Sequence, residues 1–217
     1  MGGRGSGAGG PGLGGGKEKD IKILNPVDVW SYRHRQGNEP FVDAINEGVR
    51  TVADDFPTVM NDLNFVNTAT FGGRDGAMVL GVYSPSDKQL AMAKKYTEVD
   101  RMNQVYDRGG NFHPSRGDKT AVQAVTMHEM GHAVNDHLAA KMGTDMDSAA
   151  KTIVDNAYKN SNGKGGTKAW AGKISGYAQE SNAECIAEAM CDWYCNGSNA
   201  KTQSKAIMSE LKRVYRS

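Results

Sequence analysis

Long hydrophobic runs are missing from this chain. No apolar stretch approaches the roughly 20 residues that cross a bilayer, and the N-terminus holds no apolar h-region. Neither a membrane span nor a signal peptide is therefore expected. An excess of either charge is missing too. Lysine and arginine number 26 against 25 aspartates and glutamates, a net charge of +1, which gives no global pull toward nucleic acid or an anionic membrane. Cysteine is scarce: three residues, an odd number, gathered late in the chain with no C-x-x-C pair. That argues against a disulfide framework and suits a reducing compartment. No internal repeat is visible. What is present is an ordinary globular balance, 38% hydrophobic and 24% charged over 217 residues, enough for one packed domain.

Residues 1–20, "MGGRGSGAGGPGLGGGKEKD", stand apart, with ten glycines in the first sixteen positions. Such a segment buries too little surface to offset its ordering entropy and reads as a disordered leader. Gly2 with Ser6 formally fits an N-myristoylation pattern, but glycine this dense makes the match nearly automatic. A single domain is expected over 21–217. "PFVDAINEGVRTVADDFPTVMNDL" (40–63) predicts a helix entered through Pro40, with Val42, Ile45, Val49 and Val52 on one side and a stop or kink at Pro57. A weak strand is expected in 64–71 and a stronger one in 76–84, with Gly72-Gly73 and Asp75-Gly76 turning between them. "AMAKKYTEVDRMNQVYDRGG" (91–110) is ambiguous, and at least one short strand is expected there, around 104–106. Helices follow at 117–143 (cap Asp118 or Thr120, stop Gly143), 147–160 (cap Asp147), 181–197 (cap Ser181 or Asn182, stop Gly197) and 199–215, with a loop at 161–168. Strands first and helices after is the order of an α+β fold.

The helix expected over 117–143 carries His128-Glu129-Met130-Gly131-His132. Four residues along a helix turn about 40° past a full circle, so His128 and His132 can offer imidazole nitrogens to one ion. Neutral imidazoles bind zinc at about 2.0–2.1 Å in a tetrahedral arrangement. Glu129 is set beside the ligands rather than among them, where it can take a proton from a water at the metal's open position. Met130-Gly131 reads as a lean helix face left for an approaching substrate or partner chain.

Two histidines need a third ligand. A metzincin pattern would place a histidine six residues after His132 and a glycine at the third. Leu138 and Asn135 stand there, and His137 is one position short, so that pattern is rejected. Asp136 reads as a solvated helix aspartate. The other source is "NAECIAEAM" (182–190), where Glu184 and Glu188 lie four apart in an otherwise apolar helix. Burying them costs free energy unless a cation or donor meets them. Zinc on Glu184 and a histidine N–H on Glu188 satisfy both, with Glu188 orienting a ligating imidazole.

With these residues in view, His128–His132 and the later "YAQESNAECIAEAM" (177–190) resemble the gluzincin-type catalytic domain of anthrax lethal factor and its zincin-like relatives, which include small peptidase-like proteins encoded in phage and prophage genomes. The family shows a tyrosine, a ligand glutamate seven residues on, and a second glutamate four further within an A-E-A run. Tyr177, Glu184, Glu188 and 187–189 match that spacing. The resemblance spans about 104–197. Cys185-Ile186 replaces an aromatic pair the family often carries, which alters packing but removes no ligand. It implies a small mixed sheet beside the metal helix, a second helix supplying the glutamate, Zn2+ as cofactor, and Tyr177 as donor to the oxyanion. It further implies a zinc endopeptidase acting on a protein or peptide, located in the host cytoplasm or associated with a phage virion. The alternatives are a phage structural or accessory protein keeping zinc as a staple, and an interaction or anti-restriction module on a non-proteolytic zincin scaffold. An intact Glu129 and Tyr177 argue against both.

Three features are assigned no chemistry. Cys185, Cys191 and Cys195 read as core residues, although the latter two extend the Glu184–Glu188 stripe. His113 precedes the metal helix and could line a cleft there, but reads as a loop histidine without a partner. "YRHRQG" (32–37) is too short a basic patch to argue for nucleic acid.

Overall fold

The computed structural model describes residues 21–22, 39–63, 65–69, 71 and 79–217. The glycine-rich leader, the 32–37 patch and the 72–76 turn lie outside the described residues. A first helix, α1 (Glu39–Asp55), has Pro40 in its first turn and buries Phe41, Ile45, Val49 and Val52, while Val42 is only half-buried. It stops before Pro57, and a one-turn helix, α2 (Val59–Asp62), follows.

Four strands form one mixed sheet: β1 (Ile21–Lys22), β2 (Phe65–Ala69), β3 (Gly81–Ser84) and β4 (Gln89–Ala93). The order is β1-β2-β4-β3. β4 runs parallel to β2 and antiparallel to β3, and β3 is an edge strand, with Gly81 opposite Met92. The sequence expectation of a strand around 104–106 is wrong. That stretch lies in α3 (Val99–Asp107), which buries Met102 and Tyr106 one helical turn apart. The strand is instead β4, "QLAMA", buried at every position. It overlaps the expected stretch 91–110 only at 91–93; a strand covered on both faces shows no alternation, and alanine and methionine carry little β preference, so the pattern did not mark its place.

The helices after residue 120 fall close to expectation. α4 (Ala121–Met142) opens on a capping box in which Thr120 Oγ1 accepts from the Gln123 amide and Gln123 Oε1 accepts from the Thr120 amide. It closes on Gly143 in the left-handed conformation, φ 66°. α5 (Met146–Asn160) is capped by Asp145 and not Asp147, because the Asp145 carboxylate reaches the Ser148 amide at 2.8 Å. A short α6 (Gly166–Ala171) begins inside the expected loop. α7 (Asn182–Asn196) is capped by Ser181, and α8 (Thr202–Arg216) buries Ile207, Leu211 and Val214. The fold is thus mixed α+β, mostly helical with a small sheet.

α4 is the central element. Residues 121–135 are buried all round, the mark of a helix enclosed on every side. α7, α1, α5, α3 and β3 pack on it. Glycines set two of these distances. A Cβ on Gly48 of α1 would meet Thr126 Cβ at 2.9 Å, and one on Gly131 of α4 would meet Ala187 Cα at 2.7 Å. Gly131 therefore serves the close approach of α7, and the substrate-facing role read from the sequence does not hold.

Candidate metal centre

His128, Glu129 and His132 are all buried, and each offers an atom within 4.8 Å of the others, a group able to hold a metal ion. The sequence reading set Glu129 apart from the ligands; here one of its oxygens lies with the imidazoles. The α4–α7 contact at Gly131 brings a second carboxylate to the same place. Glu184 Oε2 is 3.3 Å from His128 Nε2 and 3.5 Å from His132 Nε2. Among the described residues that oxygen makes no hydrogen bond, although it is fully buried. Its partner oxygen, Oε1, accepts from the Tyr177 hydroxyl at 3.0 Å. Tyr177 stacks on His128, ring centroids 5.9 Å apart and planes within 11°. It comes from a 3-10 turn, Tyr177–Gln179, tied by the Gly176 amide to the Asn111 carbonyl at 2.9 Å.

Glu188 lies one turn further along α7. Its Oε1 is 2.7 Å from His128 Nδ1, and its Oε2 accepts from Ser175 Oγ at 2.6 Å. The same Oε1 is 3.1 Å from His113 Nδ1, so the expectation that His113 has no partner is overturned. No sequence signal links the two, because the pairing spans 75 residues. Asp136 is not simply solvated either: it accepts from the Tyr83 hydroxyl at 2.7 Å and pairs with Lys88, fastening the β3–β4 hairpin to α4.

The site opens on a cleft of about 140 Å³, walled on one side by residues 79–83 and on the other by Phe112, His113 and Tyr177. Gly81 lets the strand wall approach, since a Cβ there would meet Glu129 Cγ at 2.9 Å and Val125 Cγ1 at 2.7 Å. Cys191 also lines the cleft, but burial and the neighbouring Cys195 raise its thiol well above the ordinary range. Cys185 is pushed up to about 12 by burial. Both are therefore protonated core thiols, not thiolates waiting on an ion.

Charge is distributed unevenly over the carboxylates. Burial pushes the Glu129 carboxyl up; the two histidines and the Tyr83 amide only partly offset this. Burial works the same way on Glu184, but the charges of His132 and His128 win and hold it well below the usual range. Glu188 is likewise held down, against burial, by His113 and His128. In return Glu184 and Glu188 raise His128 against its own desolvation. Comparisons of the chain with protein families, with curated proteins and with solved structures found no match.

Proposed function

We propose that the chain is a zinc-dependent endopeptidase, with His128, His132 and Glu184 as ligands, Glu129 as general base and Tyr177 as oxyanion donor. The observation that carries this reading is the placement of Glu184 Oε2. A tetrahedral ion with bonds of about 2.0–2.1 Å sets its ligand atoms about 3.3–3.4 Å apart, close to the 3.3 and 3.5 Å found here. That buried oxygen makes no hydrogen bond among the described residues and is met only by the two imidazole nitrogens, so one ion between the three atoms would satisfy all of them. Zinc, when bound, supplies a Lewis acid that polarises a carbonyl and acidifies a water.

The chain's own residues supply the rest. Burial raises the proton affinity of the Glu129 carboxylate above that of an ordinary glutamate, the direction that suits it to take a proton from the attacking water and pass it to the leaving amine. Burial and the carboxylate of Glu184 keep the Tyr177 hydroxyl protonated, so it is a donor for the tetrahedral oxyanion once it turns from Glu184. β3 is one of the two outer strands among the described residues, the one beside the cleft. Its outer edge can pair with an extended peptide and lay a scissile bond across α4. No helix among the described residues is long and apolar enough to cross a membrane.

Zinc content and the appearance of new N-termini in a peptide library test the reading together. The wild-type chain is expected to take up one zinc and to cleave. Glu129→Ala is expected to keep the zinc and lose at least about 10²-fold in turnover, the usual worth of a positioned base. Undiminished cleavage by that variant rejects the mechanism. A fourth protein ligand on the bound zinc, seen by X-ray absorption, favours a structural staple instead.

A further inference from the structure

His113 belongs to none of the roles just assigned, yet it is built into the site. It follows a 3-10 turn, Gly110–Phe112. Its ring is stacked on Tyr106, centroids 5.3 Å apart and planes 22° off parallel, and meets Tyr177 edge-on at 5.6 Å. The next residue is pinned as well, since the Tyr106 hydroxyl donates to the Pro114 carbonyl at 2.9 Å. We propose that His113 is a positioning residue of the metal centre: its Nδ1–H, shared onto the Glu188 oxygen that receives His128 Nδ1–H, fixes the Glu188 carboxylate and through it the orientation of His128. The inference rests on the zinc reading above.

The hydrogen-bond inventory carries the argument. An ionised carboxylate only accepts. Glu188 has 1% of its side chain exposed and meets three donors: His128 and His113 on Oε1, Ser175 on Oε2. An acceptor at Nδ1 holds a proton on that nitrogen in both rings, which leaves Nε2 of His128, beside Glu184 Oε2, as the nitrogen that can give its proton up to an ion. Without His113, each carboxylate oxygen would keep a single donor, His128 on Oε1 and Ser175 on Oε2, and Oε1 would lose the contact that holds it from the side away from His128. That matters more here because among the described residues His132 Nδ1 has no hydrogen bond. Of the two metal-facing imidazoles only His128 is therefore aimed by a partner behind it, the Glu188 carboxylate, and an outer partner of this kind is worth about 10–100-fold in metal affinity.

The test replaces His113 by Ala, Asn and Gln and measures zinc affinity against a chromophoric chelator, with the visible bands of the cobalt(II)-loaded proteins as a second readout. An asparagine amide nitrogen falls near the position of Nδ1, and that of glutamine near Nε2. His113→Ala is expected to bind zinc about 10–100-fold more weakly with altered cobalt bands. His113→Asn is expected to recover most of the affinity and the wild-type bands, and His113→Gln to recover neither. The Asn and Gln pair keeps the comparison intact if the alanine variant unfolds. Equal losses in all three variants, or recovery by Gln as good as by Asn, overturns the inference, because the Nδ1 donor is then not what matters. Wild-type affinity in His113→Ala overturns it while leaving the zinc reading untouched. A wild-type chain that takes up no zinc overturns the zinc reading and this inference with it.

Discussion

Glu129 and Glu184 are carboxylates of one cleft, both buried, and their surroundings push them in opposite directions. Burial dominates at Glu129 and favours its neutral form, whereas the two imidazoles dominate at Glu184 and keep it charged. Divergent environments of this kind separate a base from a ligand without changing the residue type. The same electrostatics give a pH dependence. In the metal-free protein, desolvation opposes a charged His128, but Glu184 and Glu188 outweigh it and its pKa is raised. Its contribution to stability is therefore fully present below the unfolded value of about 6.5 and is lost as pH rises through the folded value. Zinc uptake runs the other way, since the ion must displace that proton. The rise in Tm on adding zinc is thus expected to be larger at about pH 8 than at about pH 6. Calorimetric scans at the two values check this, and an increment that shrinks with rising pH contradicts it.

At the scale of elements, the site is made by how closely α7 lies on α4. Gly131 and Ala187 set that distance, and both metal-facing histidines flank Gly131 on the same helix. Gly131→Ala puts a methyl 2.7 Å from a backbone carbon, so the helices must part. The expected cost is about 1–3 kcal/mol, as for other overpacked cores, together with weaker zinc binding because Glu184 is carried away from the imidazoles. Urea titration and a zinc assay on one sample measure both, and unchanged zinc affinity in a destabilised variant would detach the contact from the site. How much was legible beforehand follows from the same geometry. His128, His132, Glu184 and Glu188 lie at four-residue spacings on two helices with strong caps, and such periodicity survives in a bare sequence. The partner of His113, the burial of β4 and the purpose of Gly131 depend on what lies across the fold. Val105 and Tyr106 look like strand residues, but the buried pair one turn apart, Met102 and Tyr106, belongs to a helix. There tertiary packing overrode local propensity.

For the molecule as a whole, one hydrophobic cluster runs from Phe41 in α1 to Val214 in α8. The last helix closes it: Tyr215 meets Phe56 edge-on at 5.2 Å, and its hydroxyl bonds Thr58. Leu211 is fully buried and touches no part of the cleft. Leu211→Ala is expected to lower stability by about 2–5 kcal/mol while zinc affinity per folded chain stays at the wild-type value. A denaturation curve paired with a zinc titration separates the two effects, and a parallel loss of affinity would mean that α8 sets the site as well as the core. The three cysteines of α7 give the molecule a built-in clock. Cys185 and Cys191 are 1% exposed and Cys195 is 7% exposed; Cys185 and Cys195 lie off the cleft, so an alkylating reagent reaches those two when the helix bearing Glu184 lifts from its neighbours, whereas Cys191 can also be met from the cleft. When reclosing outpaces alkylation, the labelling rate reports the population of that opened form. A ligand that holds α7 to α4 lowers it in proportion to its own occupancy. Adding zinc is therefore expected to slow thiol labelling at Cys185 and Cys195, and mass spectrometry of timed samples would follow, cysteine by cysteine, how often this protein's metal-bearing wall comes apart.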